Sequence, residues 1–219
     1  MKDIYTLTTW IIPLLLSVIL HEVAHGYIAL KLGDKTAWLM GRLNLNPSKH
    51  FDLLGCLVVP LFLWLIKAPM LFGWAKPVPI DFSRLSNPKR DTGLVAAAGP
   101  LANLFLAIIF VLAGRLVLWF FPLGNPVTEW LILNIRNGIT FSLVLSCFNL
   151  IPILPMDGGR ILWSILPRKL ANMYAETEKY GLFVLIGVLF LLPMVGLDLV
   201  GWFIGTLYPI FAGFVNIFI

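Results

Sequence analysis

The chain has 219 residues, of which 59% are hydrophobic and 12% charged, with a mean hydropathy of +0.92. Such a composition lies far outside that of a soluble globular domain and places the chain in a bilayer. The net charge of +5 sits in loops beside apolar runs, where anionic lipid head groups are the nearer counterions, so no nucleic-acid partner is expected.

Apolar stretches able to span a hydrocarbon core of roughly 30 Å fall at 8–31, 93–121, 131–151 and 198–219, with a shorter one at 181–195. Lys2 ahead of the run Trp10 to Leu20 imitates a signal peptide, but no small-x-small cleavage site follows. This first helix is therefore expected to stay in the mature protein. The run 53–66 is shorter than a standard span and carries Gly55 and Pro60, which suits a segment that dips into the membrane and returns.

Charge supports the re-entrant version. It leaves Lys2, Arg115 and Arg136 on one face and the other thirteen Lys and Arg, Lys67 among them, on the opposite face; a full crossing gives only ten against six. By the positive-inside rule the N-terminus is outside. The polar stretches 31–52, 67–92 and 155–180 are read as loops. Residues 1–219 thus form one all-α polytopic membrane domain of five to six transmembrane helices, with a core at 8–165 and C-terminal helices at 180–219.

His21-Glu22-Val23-Ala24-His25, within the first apolar stretch, is the zinc-binding HExxH pattern. On a helix the i, i+4 spacing puts both imidazoles on one face, able to share a metal, while Glu22 reaches a water on it. The competing reading is a set of polar residues hydrogen-bonded inside a bundle. Three ionisable groups within five residues of an otherwise uncharged span are costly, and such groups normally mark a functional site.

Catalytic zinc generally takes three protein ligands, and His50, Asp52, Asp81, Asp91, Asp157 and Asp198 are candidates for the third. Asp157 stands out because it follows the 131–151 stretch in Asn149-Leu-Ile-Pro152-Ile-Leu-Pro155-Met-Asp157-Gly158-Gly159, where two prolines break the helix and free the backbone to line a polar cavity. An Asx turn before two glycines is the alternative. His50 and Asp52 at i, i+2 share no helix face and fit a surface turn better than a second metal pair. Cys56 and Cys147 lack ligand spacing and are read as packing residues.

HEVAH, then Ala98-Gly99-Pro100-Leu101-Ala102-Asn103, then Asn149 to Gly159 resemble, in order, the three signatures of the site-2 protease family. Gly73-Trp74-Ala75-Lys76-Pro77-Val78 resembles its GxxxPV element, and Asn46 to Asp52 a loop of its short bacterial members. The likeness covers residues 10 to 165. It implies one zinc ion held by His21, His25 and Asp157, with Glu22 as general base and acid and Asn149 positioning the substrate or the oxyanion. Asn103 supports the site and belongs, with Gly73, Lys76, Pro77 and Val78, to the substrate-binding set. Residues 73–80 would form a small membrane-associated β element holding an extended substrate strand.

The implied function is an intramembrane zinc metalloprotease acting on membrane proteins in a bacterial or archaeal cytoplasmic membrane, with its active site towards the cytoplasm. No PDZ or CBS domain is expected. A metal transporter using the same His/Asp cluster, or a silent relative that only binds membrane proteins, are the other readings. The Asn149 to Gly159 segment and the Pro77-Val78-Pro79 stretch argue against the first, and the presence of Glu22 and all three proposed ligands against the second.

Overall fold

The computed structural model describes residues 2–66 and 73–218; Lys67, counted in the charge balance above, lies outside the described residues. Helix α1 (Lys2–Lys31) leads through two single-turn helices, α2 (Thr36–Leu39) and α3 (Pro47–His50), to a π-helical turn at Leu54–Val58 that continues into α4 (Val59–Leu65). A segment without helix or strand, 73–81, and a 3-10 turn, Phe82–Arg84, precede α5 (Pro88–Phe120) and α6 (Pro126–Asn149). After an irregular loop come α7 (Asp157–Ile165) and α8 (Arg168–Ala175), then α9 (Gly181–Ile186), α10 (Leu192–Met194) and α11 (Leu199–Asn216).

Five helices among the described residues are long and apolar enough to cross a membrane: Leu7–Lys31, Pro88–Phe120, Pro126–Asn149, Arg168–Met194 and Leu199–Asn216. The fourth joins α8, a 3-10 turn, α9, a π turn and α10 into one run, so the short 181–195 stretch is the apolar part of a longer helix. Residues 157–165 and 168–180, expected as loop, are also helical. Hydropathy alone hides such helices, because their polar side chains dilute the apolar signal.

Side chains and backbone start each helix where the sequence supplies a cap. Asn87, Asn125 and Asp198 accept from N–H groups in the first turns of α5, α6 and α11, and Pro88 and Pro126 occupy first-turn positions where no donor is lost. Within the bundle α5 is central, packing on α1, α6 and α7. Its Val95, Gly99, Asn103, Ala107 and Val111 are buried, whereas Leu101, Phe105, Leu112 and Leu116 are exposed. Small and polar residues thus face the neighbouring helices and large apolar ones face outward, as packing in lipid favours.

Two expectations are corrected. The β element at 73–80 is absent, and no strand occurs among the described residues. Pro77 and Pro79 have no N–H for a ladder, and the donors beside them go to separate partners: Trp74 to Gly55 O, Lys76 to His50 O and Val78 to Glu22 Oε2. The re-entrant turn at 53–66 is also unsupported, since the run is helical from Leu54 to Leu65 without reversing. At about 1.5 Å per residue those residues reach only about 18 Å, too short to cross a core of roughly 30 Å.

Candidate metal centre

One helical step on α1 is matched by the same step on α5. His21 and His25 project from adjacent turns of α1, and Val95, Gly99 and Asn103 project at four-residue intervals from α5. His25 Nδ1 lies 2.7 Å from Val95 O, and His21 Nδ1 lies 3.1 Å from the Asn103 amide. The order of pairing shows the two helices antiparallel. Gly99, between these contacts, leaves the imidazoles their space: a Cβ there would come within 2.4 Å of His25 Nε2 and 2.6 Å of His21 Cε1.

These outer contacts set the tautomers. Val95 O can only accept, so His25 carries its proton on Nδ1 and turns the Nε2 lone pair inward. The amide of Asn103 does the same for His21 once its Oδ1, buried without a partner, faces Nδ1; the two ends of an amide exchange places by a simple flip. Asn103 is fully buried, so it holds the ligand from behind.

Asp157 arrives from the first turn of α7. Its Oδ2 lies 3.2 Å from His21 Nε2 and 3.3 Å from His25 Nε2, and the two Nε2 atoms are 3.0 Å apart. Ligands about 2.0 to 2.1 Å from a tetrahedral zinc ion stand roughly 3.3 Å from each other. The three atoms therefore outline one face of a zinc tetrahedron. Asp157 Oδ2 is buried without a hydrogen-bond donor, and three inward lone pairs repel one another unless a cation sits between them. The donor set fits zinc.

The other expected residues are less tightly gathered. Glu22 Oε2 accepts the Val78 N–H at 2.8 Å, which brings residues 73–80 to the edge of the site. Val78 is buried, while Gly73, Lys76 and Pro77 are exposed. Asn149 donates to Leu145 O of its own helix at 3.0 Å rather than to the His/Asp cluster. His50 bonds to Asn44 O, and Asp52 accepts from Gly55 N–H, so these two form no metal pair. Cys147 is buried and Cys56 Sγ lies 3.3 Å from Trp74 O.

Comparison with known proteins agrees with this geometry. A family model described as Peptidase family M50 matches residues 126–194. YwhC of Bacillus subtilis (strain 168), provisionally named a zinc metalloprotease, is 37% identical over 193 residues, spanning 84% of this chain and 80% of that protein. The chain belongs to the site-2 protease family, peptidase family M50. Rip2 of Mycobacterium tuberculosis (strain ATCC 25618 / H37Rv), also provisionally named a zinc metalloprotease, is 30% identical over 197 residues, 90% of this chain and 70% of that one. A zinc metalloprotease of Methanocaldococcus jannaschii is 30% identical over 161 residues, 72% of this chain but 34% of its own length. No solved structure matches the chain. This site-2 protease is a multi-pass membrane zinc metalloprotease.

Two contributions escaped the sequence reading. Gly99 was visible only as part of a motif, although a glycine one turn before Asn103 in an apolar span is a signal for close helix approach. The carbonyl of Val95 carries no signal at all, because any residue supplies one.

Proposed function

We propose that this site-2 protease carries out regulated intramembrane proteolysis, hydrolysing peptide bonds within or near transmembrane segments of membrane proteins, on the cytoplasmic side of the cell membrane. The observation that carries the reading is the triangle of His21 Nε2, His25 Nε2 and Asp157 Oδ2, formed where α7 meets α1, itself a candidate span. A substrate must therefore reach it through lipid or along the segments at its rim.

His21, His25 and Asp157 hold the metal in this reading. A bound zinc ion supplies a Lewis acid that polarises the scissile carbonyl and acidifies a water. Glu22, beside the first ligand, takes the proton of the attacking water and returns it to the leaving amine, one carboxylate serving both halves of hydrolysis. Asn149 ends α6 directly before the loop that leads to Asp157, and rotating its amide away from Leu145 O frees it to bond a substrate carbonyl.

A peptide bond inside a helix is closed off by its own hydrogen bonds, so the substrate must unwind before it is cut. Residues 73–80, without helix or strand of their own, run beside Glu22, and an unwound strand can lie along them. Substrates with helix-weakening residues near the cut are favoured.

The test compares wild type, Glu22→Gln and Asp157→Ala in lipid, quantifying bound zinc and cleavage of a panel of single-span substrates. Glu22→Gln keeps the metal and loses cleavage by about 10²-fold or more, while Asp157→Ala lowers both. Wild-type cleavage by Glu22→Gln would overturn the mechanism. Zinc flux into liposomes without cleavage by any form would replace it with transport.

A further inference from the structure

Arg42 is a charged side chain that the bundle buries without an acid. It follows α2, is 8% exposed, and forms no ion pair with any described carboxylate. Its Nε is buried without a hydrogen-bond partner. Its bonds are both from Nη2, to Lys76 O at 3.1 Å and Pro77 O at 3.2 Å. Desolvating a guanidinium for two carbonyls is unfavourable unless the held backbone matters.

Pro77 O and Val78 N–H belong to one peptide group. Arg42 grips its oxygen, and Glu22 Oε2 accepts from its N–H at 2.8 Å. The group is planar and stiff, so fixing one end fixes the direction of the other. Pro77 and Pro79 flank Val78 and contribute no N–H, which makes Val78 the single donor of the Pro-Val-Pro stretch. A cation on the carbonyl also polarises the amide and strengthens the N–H as a donor.

We infer that Arg42 is a positioning residue for the general base, holding Glu22 in place through the Pro77–Val78 peptide group. Arg42 touches neither the metal ligands nor Glu22 and acts only through the backbone between them. The inference rests on the proposed role of Glu22 as base. It gives the 73–80 segment a second task beside the substrate: its outer face is open to a strand while its inner peptide orients the carboxylate.

The experiment is a double-mutant cycle on full-length, zinc-loaded protein in lipid, using Arg42→Ala, Arg42→Lys and Val78→Pro, which removes the N–H. Arg42→Ala lowers kcat about 10- to 100-fold, the scale on which a misplaced catalytic group costs rate, with KM and bound zinc within about twofold of wild type. Arg42→Lys keeps one cationic donor and recovers part of the loss. In the Val78→Pro background, Arg42→Ala adds less than about twofold, because the relay is already cut. Fully additive losses, or zinc lost in parallel with kcat, would overturn the inference.

Amide exchange at Val78 supplies a readout independent of proteolysis. Arg42→Ala accelerates it about tenfold or more, the loss expected when one hydrogen bond of the pair is released. Unchanged exchange overturns the inference whatever the activity. Should zinc-loaded wild type cleave nothing while Val78 exchange responds, the protease reading fails alone and the peptide relay stands.

Discussion

Gly99 gives the metal centre its width. The two imidazoles lean on bare backbone of α5, and a methyl group there would lie 2.4 Å from His25 Nε2. Helices α1 and α5 are long and packed along their length, so backbone retreat is resisted and the rings must turn instead. Gly99→Ala is expected to weaken zinc binding by about 10- to 100-fold, the range found when outer contacts of a ligand are disturbed. Zinc retained against a graded chelator measures this, and wild-type retention would show that the rings have room. The residue chemistry itself was readable: His21, Glu22 and His25 announce themselves by spacing, and Asp157 by its place after two prolines. What could not be read was the partner of each group. Arg42 counted only as one cation among sixteen, since nothing in a linear sequence says which carbonyl a guanidinium will meet.

Elements decide how Asp157 reaches the histidines. The chain leaves α6 at Asn149, turns through Leu150–Met156, and starts α7 at Asp157 itself. This turn is pressed from two sides by glycines: a Cβ on Gly158 would sit 2.1 Å from Leu150 O, and one on Gly181 would sit 1.9 Å from Leu154 O. Gly158→Ala must push α7 off the loop or unwind its first turn, and either movement displaces Asp157. The expected result is a joint loss of bound zinc and cleavage, with stability lowered by about 1–3 kcal/mol as for other overpacked sites. Metal content measured beside a thermal melt checks it, and loss of cleavage at full zinc occupancy would refute it. Pro152 and Pro155 made the irregular turn legible, and the long apolar runs made four of the five spans legible. The 73–80 strand failed because extended backbone is necessary for a sheet but not sufficient. With Pro77 and Pro79 lacking donors and Val78 bonded to Glu22, the stretch forms no ladder with the rest of the described chain.

At the scale of the whole molecule, the antiparallel pairings of α1 with α5 and of α5 with α6 fix which of their connecting loops share a side. Residues 32–66, 73–87 and 150–167 fall on one side with the ends of α1 and α6, while the 121–125 turn falls on the other; α11 runs parallel to α5, from Val200 packed with Ile151 to Phe218 O at Arg115, so the 195–198 turn lies towards the first side. The metal centre belongs to the first side, since His25 is six residues from the end of α1 and Asp157 opens the helix after α6. Most Lys and Arg lie on that side too, which by the positive-inside rule supports the cytoplasmic placement proposed above. Single cysteines can test this in cells, after Cys56→Ser removes the exposed native thiol and with Cys147 left buried. Leu123→Cys, at a side chain 74% exposed, is expected to react with a membrane-impermeant maleimide added to intact cells. Lys35→Cys is expected to react only after permeabilisation. The opposite pattern would turn the protein over and put the zinc ligands near the outer face, where substrates are cut for release to the exterior. Reaction of both from outside would instead refute the crossing of α5, whose two ends these positions flank. The sequence could not settle this by itself, because 53–66 is apolar enough to be counted either way, and a single added crossing inverts every loop that follows it.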